Sequence, residues 1–255
     1  MFAKTNLEEV LRGELSKRSY VCKPINIGSN TDPYQPIEKT WRLTRAALAL
    51  LNECNHPCTI VTKNALVERD LDILVPMAQR KLVQVFISIN SLDNKLASKL
   101  EPRASAPHRR MKAVGTLAQA GVPVGVLVAP IIPALNERDL EAIIEQAAAN
   151  GANAAGYTCV RLPYELKQLF REWLDLHYPD RAAHIMSLIQ QMNGGKDYDS
   201  NFATRMRGQG VFADIIRKRV EVARRKSGID RAWDVVLDTS RFVPPRIQSP
   251  QGELF

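Results

Sequence analysis

Through the first two-thirds of the chain, short apolar runs alternate with segments whose apolar residues recur every three to four positions. Five runs read as strands: "PINIGS" at 24–29, "CTIVTK" at 58–63, "VQVFISIN" at 83–90, "VPVGVLVAP" at 122–130 and "NAAGYTCVRL" at 153–162. Helical patterns lie between them at about 38–52, 68–80, 107–120 and 137–150. The strand runs are nearly continuous in apolar residues, as in a parallel sheet covered by helices. They recur at roughly 30-residue intervals, the size of a β-α repeat. Gly121 and Gly151 each stand where a helix stops before the next strand. Asn136, ahead of Asp139, is expected to cap the helix that begins in "ERDLEAIIEQ". The pattern predicts an α/β fold, either a (β/α) barrel or an open doubly wound sheet. Five strands are too few to close an eight-stranded barrel.

After Pro163 the alternation stops. "YELKQLFREWLDLHY" and "DRAAHIMSLIQQM" read as amphipathic helices, followed by a polar turn at "NGGKDYDS". A third helix, "GVFADIIRKRVEVARRK", places Phe212, Ile215, Ile216, Val220 and Ala223 on one stripe, with Arg217, Lys218, Arg224 and Arg225 away from it. The proline-rich end "RFVPPRIQSPQGELF" is expected to run extended. Three parts follow: a β/α core over 1–162, a basic helical extension over 163–230 and a tail over 231–255.

With 255 residues, 45% hydrophobic and 24% charged, the composition is that of a soluble globular protein with a well-buried core. No apolar run approaches the ~20 residues of a membrane span. "MFAKTNLEEV" lacks the pattern of a secretory signal, so a cytoplasmic location without membrane attachment is expected. Cysteines 22, 54, 58 and 159 are too few and too scattered for a disulfide framework. The net charge of +8 is concentrated: Asn201 to Arg231 holds nine Arg or Lys against three Asp or Glu. Such a surface suits a polyanion such as nucleic acid, or is simply a solvated helix face.

In parallel α/β sheets, ligands bind beyond the carboxyl ends of the strands. Those ends carry Ser29, Asn30, Thr31 and Asp32, then Thr62 and Lys63, then Ser88, Asn90 and Ser91, and finally the turn Ala129 to Pro133. A carboxylate, an ammonium and several hydroxyls on one rim suit a zwitterionic amino-acid headgroup, Asp32 facing its amino group and Lys63 its carboxylate. Asp32 before Pro33 is equally a common turn pair, and Lys63 equally a surface lysine. Cys54 and Cys58 in "CNHPC", with His56 between them, invite a metal reading, but Cys54 ends a helix, Cys58 begins a strand and no second ligand pair exists, so the two cysteines are expected to be buried or half-buried rather than metal-binding. No Walker loop, G-x-G-x-x-G or nucleophile elbow is present.

"SNTDPYQPIE", "IVTK", "ISIN", "EPRASAPHRR" and "VAPIIPALNE", in this order and spacing, resemble the radical S-adenosylmethionine superfamily. Within it they are similar to the spore photoproduct lyase and DNA repair photolyase-like branch. The resemblance implies a partial (β/α)6 barrel and cleavage of S-adenosylmethionine at a [4Fe-4S] cluster to a 5′-deoxyadenosyl radical. By position, Thr31 and Asp32 resemble the pair that holds the methionine amino group, and Lys63 and Ser88 those that hold its carboxylate. Pro130 and Ile131 would lie near the adenosine.

Two departures accompany the resemblance. The family's Cys-x3-Cys-x2-Cys loop after the first strand is absent from this sequence. The barrel is therefore expected to lack its first strand and cluster loop, with Met1 an internal methionine, and the chain as written to be inactive in radical chemistry. Ser29 also stands where spore photoproduct lyase has its hydrogen-donor cysteine, and an O–H bond is a much poorer hydrogen-atom donor than S–H. The expected function is that of a radical S-adenosylmethionine protein with nucleic acid as candidate substrate, through Arg217, Lys218, Arg224 and Arg225. The alternative is a degenerate, non-catalytic barrel that binds nucleic acid or protein. Gln251, Leu254 and Phe255 in "QGELF" match the short peptides that dock on the bacterial sliding clamp.

Overall fold

The computed structural model describes residues 3–229 and 236–246. Strands β1 (Ile25–Ile27), β2 (Cys58–Thr62), β3 (Val83–Ser88), β4 (Val124–Ile131) and β5 (Ala154–Cys159) form one parallel sheet in chain order. Helices α3 (Leu43–Glu53), α4 (Leu71–Gln79), α6 (Pro107–Gln119) and α7 (Leu140–Ala149) make the crossovers. A doubly wound sheet reverses its strand order at a switch point. Here the order never reverses, so the sheet is an arc of a β/α barrel.

The pleat explains why the strand runs are apolar throughout. Along β3, Val83, Val85 and Ile87 belong to the main core with residues of the helices. Phe86 points the other way, into an inner cluster with Leu127 and Ala154, flanked by half-buried Val61 and Ala129. Gly125 completes that inner layer, because a Cβ there would stand 2.6 Å from the Phe86 ring. Both faces are buried, and burying a Val or Ile side chain contributes roughly 1.5–3 kcal/mol.

Elements the pattern did not announce are α1 (Leu7–Leu15) and α5 (Asn94–Leu100), the latter capped by Asp93, which accepts from Lys95 N at 2.8 Å. The helix expected over 38–52 is two, α2 (Glu38–Trp41) and α3, because Arg42 takes a left-handed φ of 50°. Gly121 and Gly151 stop their helices with φ of 78° and 91°. Asn136 makes no side-chain cap. Its amide instead accepts from Ile132 N at 2.7 Å and donates to Asn90 O at 2.7 Å and Pro130 O at 2.9 Å, joining the exits of β3 and β4.

Helices α8 (Leu166–His177), α9 (Pro179–Met192) and α10 (Gly210–Lys226) follow the sheet. Leu174, Ile185 and Ile189 of α8 and α9 share a second core with Leu96, Ile132 and Leu135. On α10 the buried stripe is Ala213, Ile216, Val220 and Ala223, within the main core. Ile215 is 45% exposed and Phe212 half-buried, so the stripe is narrower than its sequence indicated. Arg219 clamps α10 to α7, its Nε and Nη2 each 2.7 Å from a Glu141 carboxylate oxygen.

Residues 236–246 have no helix or strand and cross the amino ends of the strands. Asp238 N donates to Lys81 O and Val243 N to Cys54 O, both at 2.9 Å. Phe242 packs against Tyr20 and His56. Gln251, Leu254 and Phe255 lie outside the described residues. No described helix is long and apolar enough to cross a membrane.

Candidate functional site

Because all five strands run parallel, their carboxyl ends share one rim. At the end of β1, Gly28 has φ of 93° and a Cβ there would stand 2.1 Å from Val61 O. Only glycine lets the β1 exit press against β2. The chain then delivers Asp32 to the β2 exit. Asp32 Oδ1 accepts from Tyr34 N at 2.9 Å and Thr62 Oγ1 at 2.8 Å, and Oδ2 accepts from Lys63 N at 2.7 Å. A carboxylate has about four acceptor positions, so one remains open. Thr31 is exposed one residue earlier.

Lys63 Nζ stands 2.6 Å from Glu101 Oε1. Glu101 Oε2 accepts from Arg110 Nη2 at 2.7 Å. Arg110 is only 1% exposed and also donates to Ser88 O at 3.0 Å and Ser105 O at 2.6 Å. A buried guanidinium needs such partners throughout. The relay fixes the exits of β2 and β3 relative to each other, from Lys63 through Glu101 and Arg110 to Ser88. Asp32, Tyr34, Lys63, Glu101 and Arg103 line one cavity of about 260 Å³.

The rim therefore brings Asp32 and Lys63 together, with Thr31 beside them. Ser88 is buried, and its carbonyl is engaged by Arg110. Pro130 is half-buried and Ile131 lies in the main core; neither lines this cavity. Asn90, on the inner side by alternation from Phe86 and Ser88, is fully buried with neither amide atom hydrogen-bonded. Glu101 and Arg110 carry the geometry and were given no role from sequence, although both lie in "EPRASAPHRR". The signal was a buried-charge pairing nine residues apart, which only the turn between α5 and α6 makes visible.

Cys54 and Cys58 sit at the amino end of β2, away from this rim, and are buried. Burial pushes the Cys54 thiol up to about 11 and the Cys58 and Cys159 thiols up to about 12, so all three stay protonated at neutral pH. His56 is fully buried, its Nε2 2.7 Å from the Tyr20 hydroxyl and its Nδ1 2.9 Å from Pro57 O. Among the described residues, no three His, Cys, Asp or Glu stand close enough to hold a metal ion. A [4Fe-4S] cluster does not fit the described residues.

Of the basic residues on α10, Arg217 is paired with Asp214 at 3.1 Å and Glu221 at 3.4 Å. Lys218 and Arg225 are exposed, and Arg224 is half-buried.

Comparison with known proteins agrees with this architecture. The chain is 30% identical over 190 residues to an uncharacterised protein of Mycobacterium tuberculosis, covering 74% of this chain and 56% of that protein. The chain thus spans just over half the length of that relative. Among solved structures, a cysteine-to-serine mutant of spore photoproduct lyase superposes with a TM-score of 0.56 at 16% identity, over 91% of this chain and 66% of that one. A cysteine-to-alanine mutant of the same enzyme, with a dinucleoside spore photoproduct, superposes with a TM-score of 0.54 at 16% identity, over 91% and 67%. These likenesses concern the fold. Residues 5–147 match the Radical SAM superfamily model, and with more than half its length in that match the chain belongs to the radical S-adenosylmethionine superfamily.

Proposed function

We propose that the rim cavity binds S-adenosylmethionine by its methionyl end, in a protein whose substrate class is nucleic acid. One observation carries the cofactor assignment: in a chain of this superfamily, Asp32 and Lys63 line a single cavity beyond the strand ends. Lys63 forms an ion pair with Glu101, and its three-donor ammonium keeps donors for a carboxylate. Asp32 keeps one acceptor position for an amino group, with Thr31 beside it. The unpaired carboxamide of Asn90 offers both a donor and an acceptor on the inner face. In the family, S-adenosylmethionine and a [4Fe-4S] cluster together supply hydrogen-atom abstraction. No thiol lines this cavity, so none of that chemistry is assigned to its residues.

Two observations support nucleic acid: the net charge of +8, and a shared fold with a lyase solved with a dinucleoside photoproduct. The thiol-free cavity favours a second reading, a barrel that binds cofactor or nucleic acid without radical chemistry.

Calorimetric titration with S-adenosylmethionine tests the cofactor site. Saturable binding is expected, lost in Lys63→Met while the variant still melts in one cooperative transition. No heat at millimolar cofactor, or full binding by Lys63→Met, would sink the assignment. Release of 5′-deoxyadenosine after reconstitution with iron, sulfide and reductant separates the two readings: product supports the enzyme, and none supports the binding module.

A further inference from the structure

A second surface stands on the same rim, at its far edge. Beyond β5, the segment from Lys196 to Gly208 folds back onto the strand end: Cys159 N donates to Met206 O at 2.8 Å, and Cys159 Sγ to Arg207 O at 3.3 Å. Inside the loop, Arg205 N and Gly208 N donate to Asn201 O and Thr204 O at 2.8 Å. Asp199 accepts from Asn201 N at 2.9 Å and from the Thr204 hydroxyl. The surface is therefore built before any partner arrives.

It displays an unusual combination. Phe202 is 80% exposed, and the Arg205 guanidinium lies over one face of its ring at 4.5 Å, leaving the other face free. Arg161, two residues after β5, reaches Tyr198 Oη at 3.4 Å and sits 6.0 Å from that ring. Arg161, Arg205 and Arg207 have no carboxylate partner within ion-pair distance among the described residues. Arg161 Nε and Arg205 Nε are buried with no hydrogen-bond partner at all. The nearby acid Asp197 is already engaged by Arg171 at 2.8 Å.

Guanidinium groups without a carboxylate partner attract phosphate oxygens. An open aromatic face beside them stacks an unpaired base and has nothing to offer a base inside a duplex. We propose that Arg161, Arg205 and Arg207 with Phe202 and Tyr198 form a docking platform for single-stranded or locally unpaired nucleic acid. This deepens the nucleic-acid part of the proposed function and rests on it. β5 is three strand spacings from β2, about 14 Å at the usual strand separation. A strand held on the platform thus reaches towards the Lys63 cavity. The positive charge also registers on Tyr198, whose hydroxyl is held below its ordinary pKa, first through its hydrogen bond from Arg161.

The test is fluorescence anisotropy with a labelled single-stranded oligonucleotide of mixed sequence, against the same sequence as a duplex. The single strand is expected to bind more tightly. Phe202→Ala is expected to weaken it about 5- to 150-fold, the range for loss of one stacked base, while Phe202→Tyr keeps it. Arg205→Gln with Arg207→Gln lowers the slope of log K against log salt by about 1.4, the single-strand value for two phosphate contacts. Lys218→Gln with Arg225→Gln, on the rival α10 face that the sequence pointed to, is expected to weaken binding less than the Arg205→Gln and Arg207→Gln pair. Absent binding, preference for duplex, or a Phe202→Ala protein that binds like wild type overturns the platform. So does a loss that follows the α10 pair instead. Titration of the wild-type chain with S-adenosylmethionine reports the cavity separately, so either assignment can fail while the other stands.

Discussion

Arg110 has more at stake than any other charge on the rim. It is 1% exposed, and Glu101 is its only carboxylate partner within ion-pair distance among the described residues. Removing one partner of a buried pair leaves an uncompensated charge, which costs about 3–5 kcal/mol. Glu101→Gln retains the shape and loses the charge, so urea unfolding is expected to show a loss of about 3 kcal/mol. Lys63 is different: its side chain is 35% exposed and its ion pair is partly wet. Lys63→Met should cost no more than about 1 kcal/mol. Equal losses for the two variants would show that the relay is not organised around Arg110. This contrast also marks what could be read from residues alone. Asp32 and Lys63 stand directly at strand ends, where the alternation of runs already places ligand groups. Glu101 and Arg110 meet across the turn between α5 and α6, Glu101 ending the first helix and Arg110 lying in the second, and nothing in their spacing announces it. Asn136 misled for a related reason: a residue suited to a cap also makes a compact bridge between strand exits when its side chain turns inward.

At the scale of elements, β3 and β4 were the most legible, because they are buried on both faces over most of their length and so carry near-continuous apolar runs. The short α5 was not, although Asp93 before "NKLASKL" is the capping residue that could have disclosed it. Nor was the break at Arg42, whose left-handed backbone has no signature in an arginine. The tail segment was foreseen as extended, but not that it would close over His56. Burial holds the His56 imidazole below its ordinary pKa, against a smaller opposing effect of the Pro57 carbonyl. In the unfolded chain a histidine titrates near 6.5. Above that value both states are neutral and His56 adds no pH dependence. Below it the unfolded chain binds a proton that the folded site resists, so stability falls as pH drops from about 6.5 towards the folded-state pKa, and then levels off. Thermal melts between pH 7.5 and 5 are expected to show this decline, limited to ~1.4 kcal/mol per pH unit. His56→Gln should remove it. A variant with the same slope as wild type would place the acid sensitivity elsewhere.

For the whole molecule, the question is whether the helical extension after β5 unfolds together with the core. The packing argues for a single cooperative unit. The buried face of α10 lies in the same core as the strands, and Arg219 ties it to α7. The second core joins α8 and α9 to the β4 exit through Ile132 and Leu135. Unfolding the helices alone would expose Ile216 and Val220 together with their partners on the barrel's outer helices. Removing most of a fully buried side chain costs about 2–5 kcal/mol, so Ile216→Ala is a sensitive probe of that shared core. Far-UV circular dichroism and tryptophan fluorescence are expected to trace one coincident transition, with Trp41 reporting from α2 and Trp173 beside the second core. Ile216→Ala is expected to shift that whole transition downward. Two separated transitions, with the substitution moving only the earlier one, would make the helices an independent domain. The rim platform beyond β5 would then no longer be held in register with the cavity at β1 and β2.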